Sequence, residues 1–283
     1  MSVFGRDSLI AAYQTLPLAP SLARGTLRYL AAHRGETTDE VTEEAPGKVF
    51  HEERTGELAR REQIPHTPYY GTVDATPLWV VLLGELRRWS GDADIVHELE
   101  APLADALDWT DGARDRFGDD PFLYYGRSPD VGLRHKAWRD SPGSVQYPDG
   151  RNAEHPIASV EVQGYVYRAL EEAATLYEDA LGLARAERYG SAERLARSLL
   201  EACVRFDDYR IPELFCGFDD DIDPLTYPSS CVPQAWSAGA PFATLRASFG
   251  LDPNGRPPTG NRPTWLADTA VDPILEQWDF RDR

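Results

Sequence analysis

Leu78-Trp79-Val80-Val81-Leu82-Leu83 is the stretch that decides the fold class. Its side chains are apolar all round a helical turn, as in a helix shielded on every side. Leu9-Ile10-Ala11-Ala12 has the same character. Other segments are apolar on one face only. Val162, Val166, Ala169, Leu170, Ala173 and Tyr177 follow helical spacing, with Gly182 as a stop. Ala192, Leu195, Ala196, Leu199, Leu200, Cys203 and Phe206 do the same, as do Ala238, Phe242, Leu245 and Phe249 before Gly250. A further stripe runs from about Pro20 to His33, with Gly35 beyond its end, and another covers about 98 to 112 with Leu99, Leu103, Leu107 and Trp109 inward. Fully apolar helices beside one-sided ones predict an inner layer screened by an outer one. Strand signals are weak. Phe122-Leu123-Tyr124-Tyr125 is the best of them, and no alternation of strand and helix occurs. The fold class is all-α.

Between the helices lie connections rich in polar and turn-forming residues: 35 to 73, 117 to 156 and 207 to 233. Loops this long inside a compact domain are functional or disordered. Their embedded aromatics (Tyr69, Tyr70, Tyr124, Tyr125, Trp138 and Tyr147) argue against disorder. The stretch from Asp252 through Pro257-Pro258 to Pro263 reads as an irregular C-terminal extension.

The 283 residues carry 47 Asp and Glu against 29 Lys and Arg, a formal net charge of −18. Such a field repels phosphate backbones and anionic membranes, so no nucleic-acid or membrane partner is expected. The apolar run at Leu78–Leu83 falls far short of the ~20 residues that span a bilayer. Residues 1 to 7 hold no basic stretch followed by an apolar one, and Cys203, Cys216 and Cys231 are an odd, unpaired set. Both features predict reduced thiols and a cytoplasmic setting.

The loops gather carboxylates beside aromatics, a combination that suits sugars: ring C–H faces pack on aromatic rings while carboxylates and Arg bind hydroxyls. Glycoside hydrolysis needs one carboxyl group protonated and one ionised. Trp138-Arg139-Asp140-Ser141-Pro142-Gly143 offers the first, because an indole beside a carboxyl disfavours its charge, although Arg139 acts in the opposite sense if it points inward. Ile211-Pro212-Glu213-Leu214-Phe215-Cys216-Gly217-Phe218 offers the second, a lone carboxylate in an apolar loop. With 47 acidic residues in the chain, spacing alone distinguishes neither from solvated surface. Asp219, Asp221 and Asp223 imitate a calcium loop, but Pro224 stands where Gly is needed and Ser230 where Glu is needed. The six histidines show no zinc spacing, so no metal and no cofactor are expected. Cys216 has no basic neighbour in sequence and reads as a small loop hydrophobe.

The same loops resemble the catalytic domain of bacterial amylo-alpha-1,6-glucosidases, the glycogen-debranching-enzyme-like group of six-hairpin glycosidases. The likeness rests on Val3-Phe4-Gly5-Arg6-Asp7-Ser8-Leu9, Tyr69-Tyr70-Gly71-Thr72-Val73-Asp74-Ala75-Thr76-Pro77, Ala137-Trp138-Arg139-Asp140-Ser141, Val160-Glu161-Val162-Gln163-Gly164-Tyr165 and Pro212-Glu213-Leu214-Phe215-Cys216-Gly217. Pro233-Gln234-Ala235-Trp236 follows in family order. The resemblance implies an (α/α)6 toroid over residues 1 to 251, with its loops forming a sugar pocket at one end. It implies inverting hydrolysis of α-1,6-linked glucose in glycogen or dextrins, with Asp140 as acid and Glu213 as base. It further implies that Arg6 and Asp7 hold hydroxyls of the terminal glucose, and that Tyr70, Asp74, Trp138, Glu161 and Gln163 line the pocket.

Three departures accompany the resemblance. The chain offers about seven clear helices, fewer than a closed double ring. In the family a β-rich domain precedes Phe-Gly-Arg-Asp, which here begins at residue 4. Helices, together with a Trp-Pro-His segment, are lacking near 181 to 190. The chain therefore reads as a shortened relative with an incomplete ring, whose uncovered inner helices predict self-association. The alternatives to a debranching enzyme are a carbohydrate-binding remnant with impaired catalysis and another α-glycosidase of the same superfamily.

Overall fold

The computed structural model of the chain describes residues 2–16, 19–61, 63, 68–116, 121–126, 132–147, 149–179, 215–216 and 225–226. Among them helices dominate. In chain order they are α1 (Gly5–Thr15), α2 (Pro20–Ala32), α3 (Glu57–Arg60), α4 (Ala75–Ser90), α5 (Asp94–Glu98), α6 (Glu100–Arg114) and α7 (Val160–Asp179). The strands are short: β1 (Ser2–Phe4) pairs antiparallel with β2 (Glu52–Arg54), and β3 (Phe215–Cys216) with β4 (Leu225–Thr226).

Helix α4 is the centre. It starts after Asp74 and ends at Gly91, whose N–H returns to the Arg87 carbonyl at 2.9 Å. Arg87 and Arg88 in its last turn complement the negative end of the helix dipole. From Ala75 to Leu86 only Leu78 is more than slightly exposed, so the stretch 78–83 is enclosed as its composition requires. Helices α1, α2, α6 and α7 all pack on it. Pro20 at the first position of α2 suits the helix start, where no N–H is needed. Leu27 of α2 lies in the core and accepts the Trp79 indole N–H through its carbonyl at 3.0 Å.

α4 and α7 pack closely at Gly84. A Cβ on Gly84 would stand 2.7 Å from that of Glu172, so glycine permits the contact. Around it Arg88 reaches Glu85 and Glu172 at 2.5 Å each, and Arg168 reaches Glu85 at 2.8 Å and also Glu172. Two cations thus compensate two nearly buried carboxylates, the condition under which buried charge is tolerated.

Several expectations change. α1 is not enclosed: Gly5, Leu9 and Ala12 are buried but Ala11 is exposed. Conversely α7 is buried on most sides rather than along one stripe, because α4 and the 121–126 and 136–138 segments cover it. Phe122–Tyr125 is not a strand; it forms one isolated bridge, Tyr125 with Ile157. The expected 98–112 helix is split at Leu99 into α5 and α6. The helices read at 192–206 and 238–249, the Pro233–Trp236 block, the gap near 181–190 and the division at 251 lie outside the described residues. No helix among the described residues is long and apolar enough to cross a membrane.

Candidate active site

Three helices begin at one place. α1 enters from β1, and the Gly5 N–H donates to the His51 carbonyl at 2.8 Å. A Cβ at position 5 would overlap the Phe50 carbonyl, so glycine lets the helix start against this segment. Arg6 therefore sits in the first turn with its side chain 11% exposed. Its Nη1 donates to Oδ2 of Asp74, the fully buried residue before α4, at 2.8 Å. Asp74 also accepts the Thr72 hydroxyl at 2.6 Å. The second arm, Nη2, donates to Oδ2 of Asp140 at 3.3 Å. Burial alone would lower the Arg6 pKa, but Asp74 and then Asp140 outweigh it and hold it above the ordinary arginine value.

Asp140 lies on a segment with no regular structure, and its neighbours fix the path. The Lys136 carbonyl accepts the Val73 N–H at 2.8 Å and the Thr72 hydroxyl at 3.2 Å, both from the entry to α4. The Lys136 ammonium pairs with Glu43, which also takes the Tyr69 hydroxyl at 2.8 Å. Burial would raise the Glu43 carboxyl, yet Lys136 and Lys48 hold it below its ordinary value. The Trp138 N–H donates to Oε1 of Glu161, in the first turn of α7, at 3.3 Å. Trp138 itself is 47% exposed, and the Asp140 side chain is 32% exposed. An open indole thus stands two residues from a half-open carboxyl group.

Glu161 is 6% exposed, and its Oε2 has no hydrogen-bond partner among the described residues. Burial, with the nearby Asp74 charge, pushes its pKa up to about 7. One turn along α7, burial and the Glu161 and Asp74 charges raise the Tyr165 hydroxyl well above its usual value.

Arg6, Asp74, Trp138, Asp140 and Glu161 are therefore brought together. Two pocket assignments are corrected. Gln163 accepts the Leu123 N–H at 2.9 Å and donates to the Leu123 and Ser159 carbonyls at 3.0 Å each. With its amide engaged on backbone and only 2% exposed, it ties a loop to α7 instead of facing a ligand. Tyr70 is 4% exposed in the apolar core, and its hydroxyl donates to the His33 carbonyl at 2.9 Å. Burial and neighbouring glutamates push that hydroxyl up to about 12. Asp7 is exposed on the first turn of α1, where an acid complements the helix dipole. Glu213, the candidate base, lies outside the described residues, as do the aspartates of the imitation calcium loop.

Sequence reasoning missed His51. Its Nε2 lies 3.8 Å from the same Asp140 Oδ2 that Arg6 holds. The ring is edge-on to Phe4 at 6.1 Å and to Tyr69 at 6.2 Å. Burial, then the Arg6 charge, lowers its pKa and favours the neutral imidazole. The signal for it is the pairing of Ser2–Phe4 with Glu52–Arg54, a long-range register that no local motif announces. Comparison of the sequence with protein-family models and with curated proteins returns no match.

Proposed function

We propose that this chain is a glycoside hydrolase of the amylo-alpha-1,6-glucosidase type, an (α/α)6-toroid relative acting on α-1,6 branch points of glycogen or dextrins. One observation carries the reading: Arg6, Asp74, Trp138, Asp140 and Glu161, distant in sequence, meet where α1, α4 and α7 begin. An exposed indole beside a partly exposed carboxyl matches what a pyranose ring and its glycosidic oxygen require.

In this scheme Asp140 gives its proton to the glycosidic oxygen as the bond from that oxygen to C1 breaks. Glu213 takes a proton from a water molecule whose oxygen bonds to C1 on the opposite face. The products are β-glucose and a chain with a free 6-hydroxyl. An inverting mechanism requires the two carboxyl groups to stand ~6.5–9.5 Å apart, leaving room for the water. Arg6, held by the buried Asp74, orients the acid, and no cofactor is needed.

The test is glucose release from phosphorylase-limit dextrin and from isomaltose, with the released anomer followed by NMR. Asp140→Asn and Glu213→Gln should each lower turnover by at least about 10²-fold. Dextrin binding without release would instead favour the carbohydrate-binding remnant, and release from other α-linkages a different α-glycosidase. Release unaffected by either substitution would remove the site assignment.

A further inference from the structure

We propose that His51 is a positioning residue for Asp140: together with Arg6 it fixes one carboxyl oxygen and leaves the other to carry the proton. The inference rests on the reading of Asp140 as general acid.

Both neighbours converge on Oδ2, Arg6 Nη2 at 3.3 Å and His51 Nε2 at 3.8 Å. A proton on Oδ2 would point at guanidinium hydrogens, so the acid form places it on Oδ1. The imidazole contact is longer than a hydrogen bond, as catalytic contacts often are before substrate tightens the site.

His51 is itself firmly held. Its N–H donates to the Tyr69 carbonyl and its carbonyl accepts the Gly5 N–H, both at 2.8 Å, while Phe4 and Tyr69 meet its ring edge-on. Packing alone would be served better by phenylalanine, because His51 Nδ1 is buried with no hydrogen-bond partner among the described residues. An unpaired buried nitrogen is a cost that an all-carbon ring would not carry. The polar atom that accounts for an imidazole here is Nε2, which faces Asp140. With its single hydrogen on Nε2, the neutral ring aims a donor at the carboxyl.

The experiment compares two substrates that differ in their need for an acid. Isomaltose expels its second glucose through O6, an alkoxide that must be protonated, whereas α-glucosyl fluoride loses fluoride without a proton. The readout is the ratio of kcat on isomaltose to kcat on the fluoride, for the wild-type chain, His51→Phe and His51→Gln. His51→Phe keeps the packing and removes the donor, so the ratio should fall by about tenfold, a fraction of what the acid itself contributes. His51→Gln returns an amide N–H near the place of Nε2 and should restore most of the ratio. A general structural lesion lowers both turnovers and leaves the ratio unchanged; that result, or a glutamine variant no better than phenylalanine, would overturn the proposal. Where His51→Phe does not fold, His51→Gln against His51→Asn gives the same contrast, because the asparagine amide reaches only the place of Nδ1. Hydrolysis of the fluoride and isomaltose that Asp140→Asn leaves intact would overturn the acid assignment, and the positioning role with it. A wild-type chain inactive on both substrates would overturn the enzymatic reading as a whole.

Discussion

Replacing Arg6 with methionine removes the guanidinium and keeps most of the side-chain bulk, isolating the charge between Asp74 and Asp140. The two arms are unequal. Asp74 is fully buried at 2.8 Å, so losing its counter-ion leaves an uncompensated buried carboxylate, at a cost of about 3–5 kcal/mol. Asp140 is 32% exposed at 3.3 Å, and solvent screening limits that arm to at most about 1 kcal/mol. In urea, with a slope of about 2 kcal/mol per molar, Arg6→Met should lower the unfolding midpoint by about 1.5–2.5 M and Asp140→Asn by less than about 0.5 M. Removing both members of the buried pair, Arg6→Met with Asp74→Leu, should recover most of the loss because no charge is left stranded. The cycle should give a coupling of at least about 2 kcal/mol. Equal midpoints for Arg6→Met and Asp140→Asn, or a double variant no more stable than Arg6→Met, would refute this account of the site.

Other perturbations test the surroundings. Glu161 is raised from 4.5 to about 7 in the folded chain, chiefly by burial. The folded state thus keeps a proton that the unfolded chain releases, and stability should fall as pH rises between about 4.5 and about 7, by about 3 kcal/mol in all. Urea midpoints across that window should show the decline, and Glu161→Gln should flatten it. Gly84→Ala would bring a Cβ to 2.7 Å from that of Glu172, which Arg88 and Arg168 hold in place. Overpacking of about 1–3 kcal/mol then outweighs about 1 kcal/mol of gained helix propensity, and thermal melting should show a net loss. Trp138→Ala, at a 47% exposed position, should weaken dextrin binding about tenfold by calorimetry while shifting Tm by no more than about 2 °C.

Where local chemistry suffices, the fold is legible in the sequence. Six apolar residues in a row placed the central helix, and Pro20 marked the first residue of α2. α1 was misread because four residues are too few to define a face, and alanine is tolerated on either side of a helix. β1 and β2 escaped notice for a different reason. Three residues carry almost no alternation, and their partner strand lies beyond α1 and α2 in a polar connection. α5 is a single turn, shorter than any periodicity can reveal.

The site divides in the same way. Its residue types are readable, but the pairs that join them span separations of 68 and 134 residues, which the packing of α1 on α4 and of segment 136–140 against both closes. A polar group in a site motif can equally hold a backbone, as Gln163 and Tyr70 do, and composition does not separate the two roles. His51 went unread since its partner is carried by a remote segment.

That segment, 136 to 140, has no helix or strand of its own, so its shape is imposed from outside. The entry to α4 holds the Lys136 carbonyl, α7 holds the Trp138 N–H, and α1 holds the Asp140 carboxyl. Each contact comes from the start of a different helix, and α4 packs on both of the others. Displacing any one helix by about an ångström therefore moves the carboxyl relative to the indole, the scale at which hydrogen bonds are lost. Packing of the helix layer thus sets the path of the segment that carries Asp140. The ion pairs of Arg88 and Arg168 tie α4 to α7, the two helices whose N-terminal ends hold residues 136 and 138.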